Sequence, residues 1–74
     1  MTKKRLFNPR NYGVLVGRHI AQRQRATGEG YRAIGREIGI GHATLSRVAR
    51  GKPPSIEVYL KLNRWMEQVR ENTV

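Results

Sequence analysis

The sequence predicts an all-α fold of four helices, five at most, and three observations carry that prediction. Apolar residues recur three and four apart along most of the chain, the spacing of one helix face. No segment alternates apolar and polar residues as a half-buried strand does. Breaker clusters, "TGEG" at 27–30, "GIG" at 39–41 and "GKPPS" at 51–55, cut the periodic stretches into helix-sized pieces.

Taken in order, residues 1–10, "MTKKRLFNPR", read as a flexible basic arm, and 11–74 as one domain. Pro9 discourages helix in the residue before it, and Asn11 is the expected N-cap of a first helix reaching about Ala26. Tyr12, Leu15, Val16 and Ile20 share one face of that helix, with Arg18, Arg23 and Arg25 elsewhere. A second helix fits Tyr31 to Ile38, where Ile34 and Ile38 stack one turn apart. Gly39 follows, at the position where a helix end needs positive φ. Helical periodicity resumes in "IGHATLSRVARG", with Leu45 and Val48 apolar and Arg47 and Arg50 polar, until Gly51 and two prolines stop it. Ser55 caps a last helix whose apolar face comprises Ile56, Tyr59, Leu60, Leu62, Met66 and Val69.

Several classes are excluded early. The 74 residues contain no cysteine, so neither a disulfide framework nor a thiolate metal site is available. No apolar run exceeds three residues, against the ~20 that span a bilayer, and the basic N-terminus has no apolar stretch behind it to make a secretion signal. A cytoplasmic protein is expected. His19 and His42 have no third ligand beside them, so no metal is expected. Glu67 and Glu71 read as a solvated like-charge pair rather than a catalytic one. The chain is expected to be no enzyme and to take no cofactor or small-molecule ligand.

Charge is more informative. Fifteen Lys and Arg against five Glu give a net +10. Residues 1–26 carry seven cations and no acid, residues 27–54 five cations and two acids, and residues 55–74 three of each. A basic front and a neutral back suit a protein that lays one side on a polyanion. The aromatic residues are too scattered to stack RNA bases. Nor do the cations line one helix opposite a bulky apolar face, as membrane-surface helices require. Duplex DNA is the expected partner.

The stretch "GREIGIGHATLSRVARG" decides which kind. Its GxG lacks the third glycine and the lysine of phosphate-binding loops, and helix rather than strand precedes it. A flexible hinge would not be flanked on both sides by apolar residues in matching phase. Ile34 and Ile38 before the turn, and Leu45 and Val48 after it, face one small core if the two helices cross steeply. That is the arrangement of a helix-turn-helix at about 31–50.

"YRAIGREIGIGHATLSRVARGK" resembles the helix-turn-helix of phage-repressor-type (lambda repressor/Cro-like) DNA-binding domains, and "PPSIEVYLKLNRWM" resembles their fourth helix. The likeness spans about residues 14–68. In that pattern a small residue lies four before the turn glycine, an apolar residue follows the glycine, and two more lie six and nine places beyond it. Gly35, Gly39, Ile40, Leu45 and Val48 stand at those positions. Two positions depart from it. Tyr31 stands where the family often has Gln, and Gly35 where it usually has Ala, at about 1 kcal/mol of helix propensity. Glycine at 35 lets the third helix approach closely.

The resemblance implies roles. Gly41 is the N-cap of the reading helix, which presents His42, Ala43, Ser46 and Arg47 to base edges in the major groove. Arg47 suits a bidentate contact to guanine, or else a phosphate; His42 suits guanine or a phosphate; Ala43 suits a thymine methyl. Tyr31 and Arg32 at the second helix's N-terminus, with Gly41, Thr44, Arg50 and Lys52, fall to the DNA backbone. Arg50 is equally suited to offsetting the helix dipole. Lys3, Lys4 and Arg5 in the arm either enter a groove or add non-specific attraction. Leu6 and Phe7 are expected to tuck against the domain or a partner. In the last helix, Trp65, Met66 and Val69 either complete the core or form an exposed seam joining two copies. A homodimer would set two reading helices about 34 Å apart over an inverted repeat. The expected function is that of a small bacterial or phage transcriptional regulator, a repressor acting by operator occupancy. The alternative is a DNA-binding accessory of recombination, excision or toxin–antitoxin control.

Overall fold

The computed structural model describes the backbone of residues 7–72 and the side chains of residues 7–68. Four helices follow one another, α1 (Pro9–Thr27), α2 (Tyr31–Ile38), α3 (His42–Ala49) and α4 (Ile56–Asn72), and no described residue lies in a strand. The all-α expectation is met.

Asn8, not Asn11, opens α1. Its side-chain oxygen accepts from the backbone N–H of Arg10 at 3.0 Å and of Asn11 at 3.2 Å. Pro9 follows at the first helical position, where a missing N–H costs nothing and the fixed φ is already helical. The expected arm of residues 1–10 therefore overlaps the helix at Pro9 and Arg10. Lys3, Lys4, Arg5 and Leu6 lie outside the described residues. Phe7 meets the expectation of tucking in only in part: its ring centroid lies 5.4 Å from that of Tyr12 and 5.5 Å from that of Tyr59, yet the residue stays 49% exposed.

The α2 and α3 boundaries agree with the sequence reading. Gly39 ends α2 at φ +96°, with its N–H on the Gly35 carbonyl, a conformation that any residue with a Cβ adopts only under strain. Ser55 caps α4, accepting from Val58 N–H at 3.2 Å.

One apolar core joins the four helices: Val16 and Ile20 of α1, Ile34 of α2, Leu45 and Val48 of α3, and Leu62, Trp65 and Met66 of α4. Fully burying each large side chain contributes roughly 1.5–3 kcal/mol, and no described polar or charged residue is buried with them. Three expected core residues stay outside. Leu15, Ile56 and Leu60 are all exposed. On α4 the neighbours occupy the side of Val58, Leu62, Trp65 and Met66, and Ile56 and Leu60 turn away from it by helical geometry. Trp65 and Met66 are 4% and 6% exposed. They complete the core and are not an exposed seam; the Val69 side chain lies outside the described ones.

Polar contacts tie the helices at the core's edge. Glu37 of α2 holds Arg23 of α1 through two contacts, Nε to Oε1 at 3.1 Å and Nη2 to Oε2 at 3.0 Å. It also accepts from the Trp65 indole N–H at 3.3 Å. Truncation by Glu37→Ala breaks the fork and leaves the indole N–H of a buried residue unpaired. We expect a loss of about 1–2 kcal/mol, read by circular dichroism as a melting point lower by roughly 5–15 °C.

Across the core's other edge, the Tyr12 hydroxyl donates to Asn63 Oδ1 at 2.8 Å. Burial, with a smaller contribution from Tyr59, pushes the Tyr12 pKa up from 10.0 to about 12. The folded state thus holds this proton where the unfolded chain releases it, so the contribution to stability is intact below pH 10 and falls away between about 10 and 12. Tyr12→Phe is expected to flatten that part of the stability–pH curve in denaturant titrations.

Candidate nucleic-acid interface

The presented helix is set by close backbone contacts on two sides. A Cβ at Gly35 would stand 2.8 Å from the Ile40 carbonyl oxygen and 3.4 Å from the His42 nitrogen, so its absence lets α3 start tight against α2, as the sequence suggested. A Cβ at Gly13 of α1 would stand 2.6 Å from the Val48 carbonyl oxygen and 3.1 Å from that of Ala49. Gly13 is therefore where α1 and α3 meet backbone to backbone. The sequence reading missed it, because a glycine inside an amphipathic helix has no local mark of what crosses it.

The turn has a further support from α4. The Lys61 ammonium donates to the Gly39 carbonyl at 3.1 Å and lies 3.5 Å from a Glu57 carboxylate oxygen. A cation at the C-terminus of α2 also complements that end of the helix dipole.

With Leu45 and Val48 buried, the other side of α3 faces outward. His42, Ala43, Arg47 and Arg50 are exposed, and Ser46 and Thr44 are half-buried. Arg50 lies seven residues after Ala43, two turns along the same face, so the helix places it beside Arg47 on the presented side. Gly41 is the N-cap and supplies no side-chain hydrogen bond, which leaves the first N–H groups of α3 to solvent.

The end of α3 aims the next cation. Gly51 N–H reaches the Val48 carbonyl and Lys52 N–H the Arg47 carbonyl, each at 3.0 Å, a Schellman closure around Gly51 at φ +104°. Lys52 then lines a shallow groove with Thr44, Arg47, Pro54 and Ser55. The structure thus gathers Thr44, Arg47 and Lys52 as one group. It adds a residue the sequence reading left in the arm: a Cβ at Gly51 would lie 3.6 Å from Arg10 Cα, so the start of α1 abuts the end of α3 and brings exposed Arg10 to that end. Only the α1–α3 crossing at Gly13 makes those two neighbours.

Tyr31 and Arg32 occupy the first turn of α2, where the N-cap Gly30 offers no side-chain hydrogen bond and no acid precedes them. Arg32 is exposed, whereas Tyr31 is half-buried with its ring against the core. The two described ion pairs use Arg23 and Lys61, so Arg10, Arg32, Arg47, Arg50 and Lys52 face no carboxylate among the described residues. His19 is held by its own helix, with Nδ1 3.0 Å from the Leu15 carbonyl and its ring centroid 6.2 Å from that of Trp65. The described residues contain no group of three or more His, Asp or Glu that could hold a metal. No described helix is long and apolar enough to cross a membrane.

Over the described residues these features define an all-α arrangement of four helices that holds one short helix and the loop after it outward as a cationic ridge. Comparison of the chain with family models, with curated proteins and with solved structures finds no match.

Proposed function

We propose that the chain is a sequence-specific duplex-DNA-binding regulator with a helix-turn-helix of the phage-repressor (lambda repressor/Cro-like) type, acting as a repressor by occupying an operator. One observation carries this reading: α3 buries its whole apolar side and presents His42, Ala43, Arg47 and Arg50, with Lys52 beyond, on a stretch from 42 to 52 that has no acidic residue. A helix about 10–12 Å across matches the B-DNA major groove, and its reach suits base edges.

In this reading Arg47, His42, Ala43 and Ser46 read bases. Thr44, Arg50, Lys52, the uncapped start of α3 at Gly41, and Tyr31 and Arg32 on α2 hold phosphates. Arg10 joins the phosphate set through its place beside Gly51. Tyr31 contributes its backbone N–H, since its ring is engaged by the core. Two copies on an inverted repeat are the expected complex.

The test is selection of bound duplexes from a random library, followed by salt titration of the selected duplex. A two-fold consensus is expected. With four phosphate-holding cations on each of two copies, affinity should fall roughly ten-thousandfold between about 50 and 200 mM salt. The absence of any consensus, or a flat salt response, would sink the proposal.

A further inference from the structure

Trp65 and Met66 belong to the core, which leaves a second copy without the seam expected of them. The described surface offers another. Ile56 and Leu60 stand four apart on the outward face of α4, 79% and 59% exposed, which stacks them one turn apart. Beside them Phe7, Pro54, Ile56 and Tyr59 line an apolar groove. Exposed apolar side chains are ordinary when single, but a contiguous group points to something that covers it.

Charge on the same face says what. Glu57 and Arg64 flank Leu60, seven residues apart, and so share the outward side of α4. Among the described residues the Glu57 carboxylate meets only Lys61, at 3.5 Å, and Arg64 meets no carboxylate. Set two such helices antiparallel, with the two-fold axis passing between Leu60 and Lys61. Leu60 then lies against Leu60 of the second copy, Ile56 packs on the stem of the other Arg64, and each Glu57 comes level with the opposite Arg64. The face is self-complementary in the way an isologous contact requires. Two chains of net +10 repel through most of their surface. Residues 55–74, with three cations and three carboxylates, are where they meet without excess like charge.

We infer that the outward face of the first half of α4 is a self-association surface, and that its occupant is the antiparallel α4 of a second copy. Two apolar side chains from each copy, Ile56 and Leu60, make a small contact, so it is weak in free solution. It strengthens when both copies sit on one duplex, where each is held at high effective concentration. Ile56 follows Lys52 by four residues, so the contact adjoins the cationic loop after α3. Its biological role rests on the DNA-binding reading above; its existence does not.

The test is sedimentation of the full chain over a concentration series, together with binding to a full two-fold site and to a half-site. Wild type should self-associate at high concentration and bind the full site cooperatively. Leu60→Glu should weaken self-association roughly a hundredfold, since each interface loses two Leu side chains. It should abolish cooperativity while half-site binding and thermal melting stay at wild-type values, as the position is exposed. Glu57→Arg and Arg64→Glu should each weaken association, and the two together should restore it. The inference is overturned if wild type shows neither self-association nor cooperativity, if Leu60→Glu changes neither, or if the double reversal fails to rescue. Self-association without DNA binding of any kind would sink the functional reading and leave this one standing.

Discussion

Gly13→Ala is expected to destabilise the protein by about 2 kcal/mol, while Gly17→Ala, one turn along the same helix, should stabilise it by about 0.5–1 kcal/mol. Both glycines lie inside α1, so both substitutions gain the same helix propensity. The difference is what crosses them. A Cβ at Gly13 would stand 2.6 Å from the Val48 carbonyl oxygen, with Gly51 N at 3.1 Å, whereas nothing lies within 4 Å of a Cβ at Gly17. The atoms met at Gly13 are all backbone, so no side chain can swing away and α3 itself must move. In a domain this small, total stability is of the order of 4–11 kcal/mol, and the two variants should melt roughly 10 °C below and 5 °C above wild type. Differential scanning calorimetry would check it. Equal shifts in one direction would show that the α1–α3 approach is not the constraint. On the proposed reading of α3 as the DNA-reading helix, Gly13→Ala should also weaken duplex binding, with no change to any side chain on the ridge.

Arg47→Ala carries the second large effect. On the proposed reading it removes a bidentate contact to guanine and costs about 1–3 kcal/mol, roughly ten- to hundredfold in affinity for the selected duplex. The loss should vanish on duplexes altered at one base pair, because only there did the side chain discriminate. Lys52→Ala lies in the same groove but should weaken binding to all sequences alike and lower the salt slope by about one. Both residues are exposed and unpaired among the described residues, so melting should change by no more than about 0.5 kcal/mol. Competition binding across single-base variants separates the two. If Arg47→Ala lowers affinity equally on every duplex, Arg47 holds a phosphate and base reading falls to His42 and Ser46.

Several parts of the fold were legible because the physics that sets them is local. The α2 and α3 boundaries follow from Gly39, whose positive φ stops one helix, and from Gly51, whose left-handed conformation closes the next. Ser55 caps α4 where a hydroxyl stands before an apolar run. Other parts failed for reasons equally physical. Asn8 and Asn11 are both good caps by residue type. Asn8 prevails because proline at the following position is pre-set for a helix and loses no hydrogen bond there. Leu15, Ile56 and Leu60 have the right spacing for a core face, but periodicity defines a stripe without saying how much of it the neighbours cover.

The candidate site divides the same way. That a short helix with Arg47, Arg50 and Lys52 would be held outward could be inferred from Leu45 and Val48 needing burial. Arg10 could not be found, since it joins the ridge only through the crossing of α1 over the end of α3. Lys61 on the Gly39 carbonyl and Glu37 between Arg23 and Trp65 are contacts across 22, 14 and 28 residues of sequence, and no local pattern announces them.

The amino-acid sequence by itself determined the helices, the turn and the concentration of positive charge, because φ preferences, capping and side-chain ionisation act within a few residues. Tertiary structure alone decided which apolar side chains are core and which are left outside. It buried Trp65 and Met66 and exposed Ile56 and Leu60, although all four sit on one helix at similar spacing. The reason is geometric: burial depends on where the other helices lie. Among α1, α2 and α3 that placement is set by how closely backbones pass at Gly13 and Gly35, a property of pairs of segments rather than of any one.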